Sequence, residues 1–353
     1  MNKHVNYLII GQGLAGSALA WELLQRGKTI QVIDEPGNTR ASSVASGLFN
    51  PIAGKFMTKA WIAEKVFPYL ENFYAEAGDQ LNKKLIHLLP IYRPFISDEE
   101  RIQWKERGKS DDLIKFVSAF HDVPTFEQVN DPFGGIEIAH SGYVNVDQWL
   151  SSVRNFLTYH EVLSEEFFDE KEIAAGESIQ YKEFTADKII FCNGVAALQS
   201  KWFGWLPIKP LKGETLEIEL KSPCSRIFNR GVYLVPTERE NIFNVGATYQ
   251  HPPFVEGNTS GSVDELQTKL RELLSVSFEV LHQDWGIRPT TPDRRPLFGA
   301  HPACKNVIIF NGLGTKGVSL APYFARHLAD WMEGMGDLST EVNIYRFKAL
   351  YSG

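Results

Sequence analysis

The strongest constraint on this chain is a glycine run near its start, Gly11-Gln12-Gly13-Leu14-Ala15-Gly16. It follows an apolar run, Val5 to Ile10, of a length suited to a buried strand. Beyond it, Leu19, Leu23 and Leu24 fall at helical spacing, so about Leu14 to Gln25 reads as a helix stopped by Gly27. A second apolar stretch, Thr29 to Ile33, completes a strand–helix–strand unit. In such a unit Gly11 permits the tight turn, Gly13 lets backbone approach a pyrophosphate, and Gly16 allows close helix–strand packing. The first helical residues, Leu14 and Ala15, bring N–H groups and the positive end of the helix dipole toward the phosphates. Asp34 closes the second strand, where a carboxylate accepts from a ribose hydroxyl, with Glu35 as its rival for that contact. The pattern points to a dinucleotide on an α/β scaffold.

Composition sets the outer bounds. At 353 residues the chain is long enough for about two domains of roughly 150 residues each. Hydrophobic residues make up 43%, with 23 Phe, 12 Tyr and 8 Trp, which excludes global disorder. A formal charge of −7 gives no support for generic affinity toward nucleic acid or anionic membrane. No stretch approaches the ~20 apolar residues of a membrane span. Val5 to Ile10 is too short for the apolar core of a signal peptide, so a cytoplasmic protein is expected. Cys192, Cys224 and Cys304 are far apart and form no CxxC, so neither a disulfide framework nor a zinc knuckle is expected. The nine histidines include no pair at metal-ligand spacing, and no metal is expected.

The rest of the chain alternates nucleotide-type units with insertions. Arg40 to Gly47 is rich in small residues (Ser42, Ser43, Ser46, Gly47), runs into Leu48, and precedes the turn-like Asn50-Pro51. Such a segment suits a path beside a flat ring and a pyrophosphate, or is simply a flexible loop. Trp61 to Ala77 has helical periodicity, with Pro68 as a kink or new first turn. Leu85 to Phe95 reads as strand, Ser97 to Asp112 as an exposed helix or excursion, and Val146 to Tyr159 as a helix. Ala186 to Phe191 is a second buried parallel-type strand, followed by Cys192, read as packing, and Asn193-Gly194. Short strands follow at Glu214 to Leu220 and Val232 to Val235. Ser262-Val263-Asp264-Glu265 is a capping box expected to open a helix reaching about Leu281. Trp202, Phe203 and Trp205 are read as core.

Two segments near the C-terminus carry charge chemistry. Gly312-Leu313-Gly314-Thr315-Lys316-Gly317 joins a strand, Asn306 to Phe310, to a helix from about Val318 to Trp331. A helix N-terminus plus Lys316 suits negative charge, such as the N1–C2=O edge of a reduced flavin; an ordinary turn with a solvated lysine is the plainer alternative. Upstream, Arg288 lies between apolar and proline residues, a setting for a fixed guanidinium that binds carboxylate bidentately. Arg294 and Arg295 read as surface charges. One domain is therefore expected to be discontinuous, from 1–80, 141–206 and 286–353, with 81–140 and 207–285 forming the other.

These motifs resemble those of the D-amino-acid oxidase / glycine oxidase family of FAD-dependent oxidoreductases. The resemblance runs through the fingerprint, Ala45-Ser46-Gly47, Ala186 to Gly194, Pro210 to Glu214, Tyr233-Leu234-Val235-Pro236, Gly246-Ala247-Thr248, Gly286 to Pro296 and Gly312 to Pro322, in order. It implies an α/β fold: a discontinuous FAD-binding Rossmann-like domain plus an antiparallel-sheet α+β substrate domain. It also implies FAD, held non-covalently, because the attachment cysteine of sarcosine-oxidase-like relatives near the Arg-Pro segment is missing. Cofactor contacts would extend to Phe167, Asn193, Gly194, Gly312, Gly314, Thr315, Lys316 and Gly317. Tyr233 of Tyr-x-x-Pro and Arg288 of Gly-x-Arg-Pro would hold the substrate carboxylate, and Lys316 stands where the family often has Arg.

The implied activity is oxidation of the C–N bond of a small amino acid or secondary amine of the glycine, sarcosine or D-amino acid type. Hydride would pass to flavin N5, the imine would hydrolyse, and O2 or another acceptor would take up the electrons. No side-chain base is required. Ala45 to Tyr74 and Gly312 to Pro322 are also similar to the FAD domain of the bifunctional enzyme that trims carboxymethylaminomethyl-uridine in tRNA. On that alternative tRNA would be the partner, although neither a methyltransferase domain nor a basic run is seen in this sequence.

Overall fold

The computed structural model describes residues 3–35, 41–54 and 56–352, apart from the side chain of Ala53. Arg40, at the head of the serine-rich segment, lies outside the described residues. The chain packs as two units. Unit 1 comprises Met1–Ser43, Asp147–Leu211 and Ile287–Gly353, and unit 2 comprises Val44–Val146 and Lys212–Gly286. Among the described residues, no helix is long and apolar enough to cross a membrane.

Unit 1 begins with β1 (Lys3–Ile10), α1 (Leu14–Gln25) and β2 (Ile30–Asp34). It continues with α2 (Val146–Tyr159), β3 (Leu163–Glu165) and β4 (Phe184–Phe191), then β5 (Leu297–His301), β6 (Cys304–Asn311) and α3 (Gly317–Met332). Six strands of its sheet run β3-β2-β1-β4-β6-β5, parallel except for β5, and the short strands Ile179–Tyr181 and Ala174–Ala175 add to it antiparallel from β4. Leu8, Ile10, Ile189, Phe191 and Ile309 share a core with Phe203, against which Trp202 and Trp205 pack. Strands covered on both faces need such near-continuous apolar runs, and each fully buried side chain of this size contributes about 1.5–3 kcal/mol. Register levels the carboxyl ends, because Ile10 pairs with Phe191, Ile9 and Ile10 pair with Val32 and Ile33, and Glu165 pairs with Asp34. The loops after these strands therefore leave the sheet together, at the edge where open α/β sheets bind ligands.

Unit 2 holds an eight-stranded sheet that includes Lys209–Leu220, Ile242–Gly246, Val232–Pro236, Ile227–Arg230 and Ile91–Pro94. Most of its pairings are antiparallel, and Ile227–Arg230 with Ile91–Pro94 is parallel. Helix Ser260–Leu273 lays Leu266, Leu270 and Leu273 on a core with Leu216, Phe228, Leu234 and Phe243. Residues 44–80 and 141–146, grouped by sequence with the nucleotide domain, pack in unit 2. Strand pairing is the reason: Leu48–Phe49 pairs with Gly142–Val144, which pairs with Ile86–Leu88.

Three local expectations change. The helix expected from Ser262 to Leu281 runs over Ser260–Leu273, because Thr259 is its N-cap and accepts from the Ser262 N–H. Phe278–Thr290 is instead a 13-residue strand, so Arg288 sits on a strand. Leu85 to Phe95 divides into Ile86–Leu88 and Ile91–Pro94. The charged helix, Asp98–Gly108, is tied down by buried Trp104, whose ring lies 4.4 Å beneath the Arg93 guanidinium.

One buried ion pair knits unit 2. Lys212 and Glu214 have side chains 0% exposed and meet at 2.8 Å. Glu214 also accepts from the Thr259 N–H and hydroxyl, the Ser262 hydroxyl and Gln283 Nε2. Burial pushes its carboxyl pKa up, but Lys212 and the Thr259 and Ser262 hydrogen bonds outweigh this and hold it below the ordinary value. A strand carboxylate thus sits at a helix N-terminus, where the dipole favours it.

Candidate active site

The fingerprint is built as its glycines require. Gly11 has φ +97°, and a Cβ there would lie 2.8 Å from the Cys192 carbonyl oxygen. A Cβ on Gly16 would lie 1.8 Å from the Gly11 carbonyl oxygen, so α1 passes directly over the turn. Gly13 faces Ser42, whose hydroxyl accepts from the Leu14 N–H at 3.1 Å. Helix α1 has no side-chain cap hydrogen bond at Gly13 and no acidic residue in its first turn, so its dipole is uncompensated from within. Buried Cys192 is packing, and burial raises its thiol pKa strongly.

Asp34 is 5% exposed and held on both oxygens. Its Oδ1 accepts from the Gln12 N–H at 2.8 Å, and its Oδ2 accepts from Arg154 at 2.9 Å. Arg154, from α2, also donates to Gln12 Oε1 and to Glu165. Gln12 Nε2 donates to Ser17 Oγ and the Leu150 carbonyl. Glu35 is half-buried immediately after β2. Phe167, two residues past β3, is 67% exposed; β3 is the strand that pairs with β2 at Asp34.

Beyond β4 and β6 lies the other part of the edge. Asn193 Oδ1 is a buried acceptor with no hydrogen-bond partner among the described residues. The neighbouring Gly194 carbonyl accepts from Asn311 Nδ2, and Asn311 Oδ1 accepts from the Gly312 N–H, so Asn311 clamps the two loops together. Gly314–Lys316 forms a 3-10 turn into α3, which has neither a capping side chain nor an acid in its first turn. Thr315 and Lys316 are exposed. Although solvent reaches Lys316, protein atoms crowd its ammonium; this desolvation first, then Arg295 and Arg294, lower its pKa.

The expected site residues divide between the units. Gly11, Gly13, Leu14, Ala15, Gly16, Asp34, Glu35, Ser42, Ser43, Phe167, Asn193, Gly194, Arg288 and Gly312 to Gly317 belong to unit 1. Ser46, Gly47, Leu48 and Tyr233 belong to unit 2. Arg288 is half-buried near the end of its strand. Tyr233 pairs with Gly246 across the sheet, and its ring lies over that glycine, where a Cβ would be 2.3 Å from the phenol oxygen. Sequence reading missed Gln12, Arg154 and Asn311 as parts of the nucleotide edge.

Three features of unit 1 fit FAD: a glycine turn that any Cβ at Gly11 or Gly16 would obstruct, a helix N-terminus beside Ser42 with no acidic residue in its first turn, and a buried Asn193 oxygen at the same strand edge that has no partner among the described residues. Fold and edge define a dinucleotide-binding protein of the α/β class. The pattern of the FAD dependent oxidoreductase family, DAO, matches residues 6–331, and the chain belongs to that family. Glycine oxidase of Bacillus subtilis (strain 168) is 23% identical over 357 residues, spanning 94% of this chain and 93% of that protein. The crystal structure of glycine oxidase from Geobacillus kaustophilus superposes with a TM-score of 0.76 at 20% identity, covering 96% of each chain. Some relatives are bifunctional and longer. The tRNA 5-methylaminomethyl-2-thiouridine biosynthesis bifunctional protein MnmC of Hahella chejuensis is 23% identical over 364 residues, and the match covers 94% of this chain but 57% of that protein.

Proposed function

We propose that this FAD-dependent oxidoreductase oxidises the C–N bond of a small amino acid or secondary amine of the glycine, sarcosine or D-amino acid type. The observation that carries the proposal is Arg288, half-buried near the end of strand Phe278–Thr290, where the chain re-enters unit 1, within Gly286-Ile287-Arg288-Pro289. Gly11 to Gly16, Ser42 and the loops at Asn193 and Gly312 would hold FAD non-covalently, and when bound it would supply the hydride acceptor, with O2 as the final oxidant. Arg288 presents the planar fork that takes both oxygens of a substrate carboxylate. Tyr233, in unit 2, is the hydroxyl donor that the family resemblance implies for a substrate carboxylate. Desolvation in such a site lowers the pKa of the substrate ammonium, so the amine becomes neutral and its C–H labile as hydride. Lys316 and the bare N-terminus of α3 supply positive charge for the negative charge that reduction creates. The imine product then hydrolyses.

An anaerobic screen of glycine, sarcosine, N-alkyl glycines and D-amino acids for flavin bleaching tests this, and at least one should bleach it without RNA. Arg288→Ala should retain its yellow colour yet lose carboxylate-dependent turnover by roughly 30-fold or more, with Arg288→Lys less affected. A colourless, unfolded Arg288→Ala protein would make this a structural arginine. Likeness to the tRNA-modifying relative supports a second reading, oxidation of a carboxymethylaminomethyl side chain on wobble uridine. Bleaching by modified tRNA alone would establish it.

A further inference from the structure

We infer that Arg154 is a positioning residue for the adenosine end of FAD, setting the attitude in which Asp34 receives a ribose hydroxyl. The inference rests on Asp34 as the ribose acceptor, part of the cofactor reading above.

The geometry is specific. Gln12 spends both amide hydrogens, one on Ser17 Oγ at 2.9 Å and one on the Leu150 carbonyl at 3.0 Å. Its Oε1 must therefore be the atom facing Arg154, and it accepts from that guanidinium at 2.9 Å. The same Nη1 donates to Asp34 Oδ2, also at 2.9 Å. The other edge of the guanidinium is anchored on Glu165, at the end of the strand paired with Asp34. Asp34 Oδ1 is held by the N–H of Gln12, inside the fingerprint turn. A carboxylate turns freely about its last torsion unless its oxygens are tied. Here the glycine turn ties one oxygen and Arg154 the other.

Charge points the same way. The Asp34 side chain is 4% exposed, while that of Glu165 is 52% exposed. A half-exposed ion pair contributes little, so the consequential contact of Arg154 is the one with Asp34. Removing Arg154 would take a cation away from a nearly buried carboxylate, beside the place where a pyrophosphate brings further negative charge. The anchor is remote in sequence, since Arg154 lies 120 residues from Asp34 and 142 from Gln12.

The test is a cycle on apoprotein with ADP and 2′-deoxy-ADP, titrated calorimetrically. Wild type should prefer ADP by roughly tenfold, the loss expected for a hydrogen bond to a charged acceptor. In Arg154→Gln that preference should collapse toward one, as it should in Asp34→Asn, and FAD should bind roughly tenfold more weakly. Arg154→Lys keeps the cation but cannot bridge Gln12 and Glu165 together, so it should recover part of the preference; it is read in the same way if the Gln variant does not fold. A merely structural role for Arg154 would weaken both nucleotides equally and leave their ratio intact, which would overturn the inference. If Asp34→Asn loses the preference while Arg154→Gln keeps it, the ribose reading survives and the role given to Arg154 fails. If wild type shows no preference, the ribose reading of Asp34 fails first.

Discussion

Individual atoms decide how tolerant the cofactor edge is. A methyl on Gly16 would collide with backbone, the Gly11 carbonyl oxygen at 1.8 Å, whereas one on Gly13 would meet a side-chain oxygen, Ser42 Oγ at 3.0 Å. Backbone cannot yield, and a serine rotamer can. Gly16→Ala should therefore lose FAD and also destabilise the apoprotein by more than the ~1–3 kcal/mol typical of overpacking. Gly13→Ala should keep the apoprotein's melting temperature and lose mainly FAD affinity. Flavin-to-protein absorbance ratios, paired with apoprotein melts, separate the two. Lys316 makes a pH prediction. Desolvation, then Arg295 and Arg294, hold its pKa below that of an ordinary lysine. If its ammonium stabilises reduced flavin, the rate of flavin reduction should fall as pH rises through that lowered pKa. Lys316→Arg should shift the alkaline limb upward, and Lys316→Met should abolish it. An alkaline limb unchanged in both variants would remove Lys316 from the chemistry.

At the level of elements, the Lys212–Glu214 pair ties strand Lys209–Leu220 to the N-terminus of helix Ser260–Leu273. Breaking one partner of a buried pair costs about 3–5 kcal/mol, while replacing both with neutral groups costs far less. In urea melts Glu214→Gln should thus be less stable than Lys212→Met/Glu214→Gln. The sign with pH follows from the depressed carboxyl. Stability from Glu214 is fully present above the ordinary glutamate value of 4.5 and is lost as pH falls through the lower, folded-state value. Wild type should lose more stability than the double variant across that acid window. These elements also show what a sequence discloses. Helices Leu14–Gln25 and Val146–Tyr159 are legible because their signals lie within one or two turns. The end of helix Ser260–Leu273 is not, because the alternating residues 278–290 hold leucine and phenylalanine that also fit a helical run. Glycine spacing and the acid that ends β2 point to the nucleotide edge. Asn311 and Arg154 were invisible, because their partners lie 117 and 120 residues away.

Over the whole molecule, neither unit is one stretch of chain: three segments build unit 1 and two build unit 2. A fragment such as residues 44–146 should therefore stay unfolded by circular dichroism, since its strand Ile91–Pro94 would lack its partner Ile227–Arg230. Saturating ADP should raise the melting temperature of the full-length apoprotein, by mass action of a ligand that binds only the folded state. The same interleaving has a cost in time. Strand β1, eight residues long, is complete well before its neighbour Phe184–Phe191, which emerges from the ribosome only after most of the next 180 residues. At ~5–20 residues per second that wait is on the order of ten to forty seconds, and the strand Cys304–Asn311 comes later still. Throughout, an apolar edge that becomes the middle of a sheet has β2 as its one partner strand. Yield in a living cell is then governed by whatever shelters that edge during translation, and slowing the ribosome between residues 35 and 184 should increase aggregation without altering the finished protein.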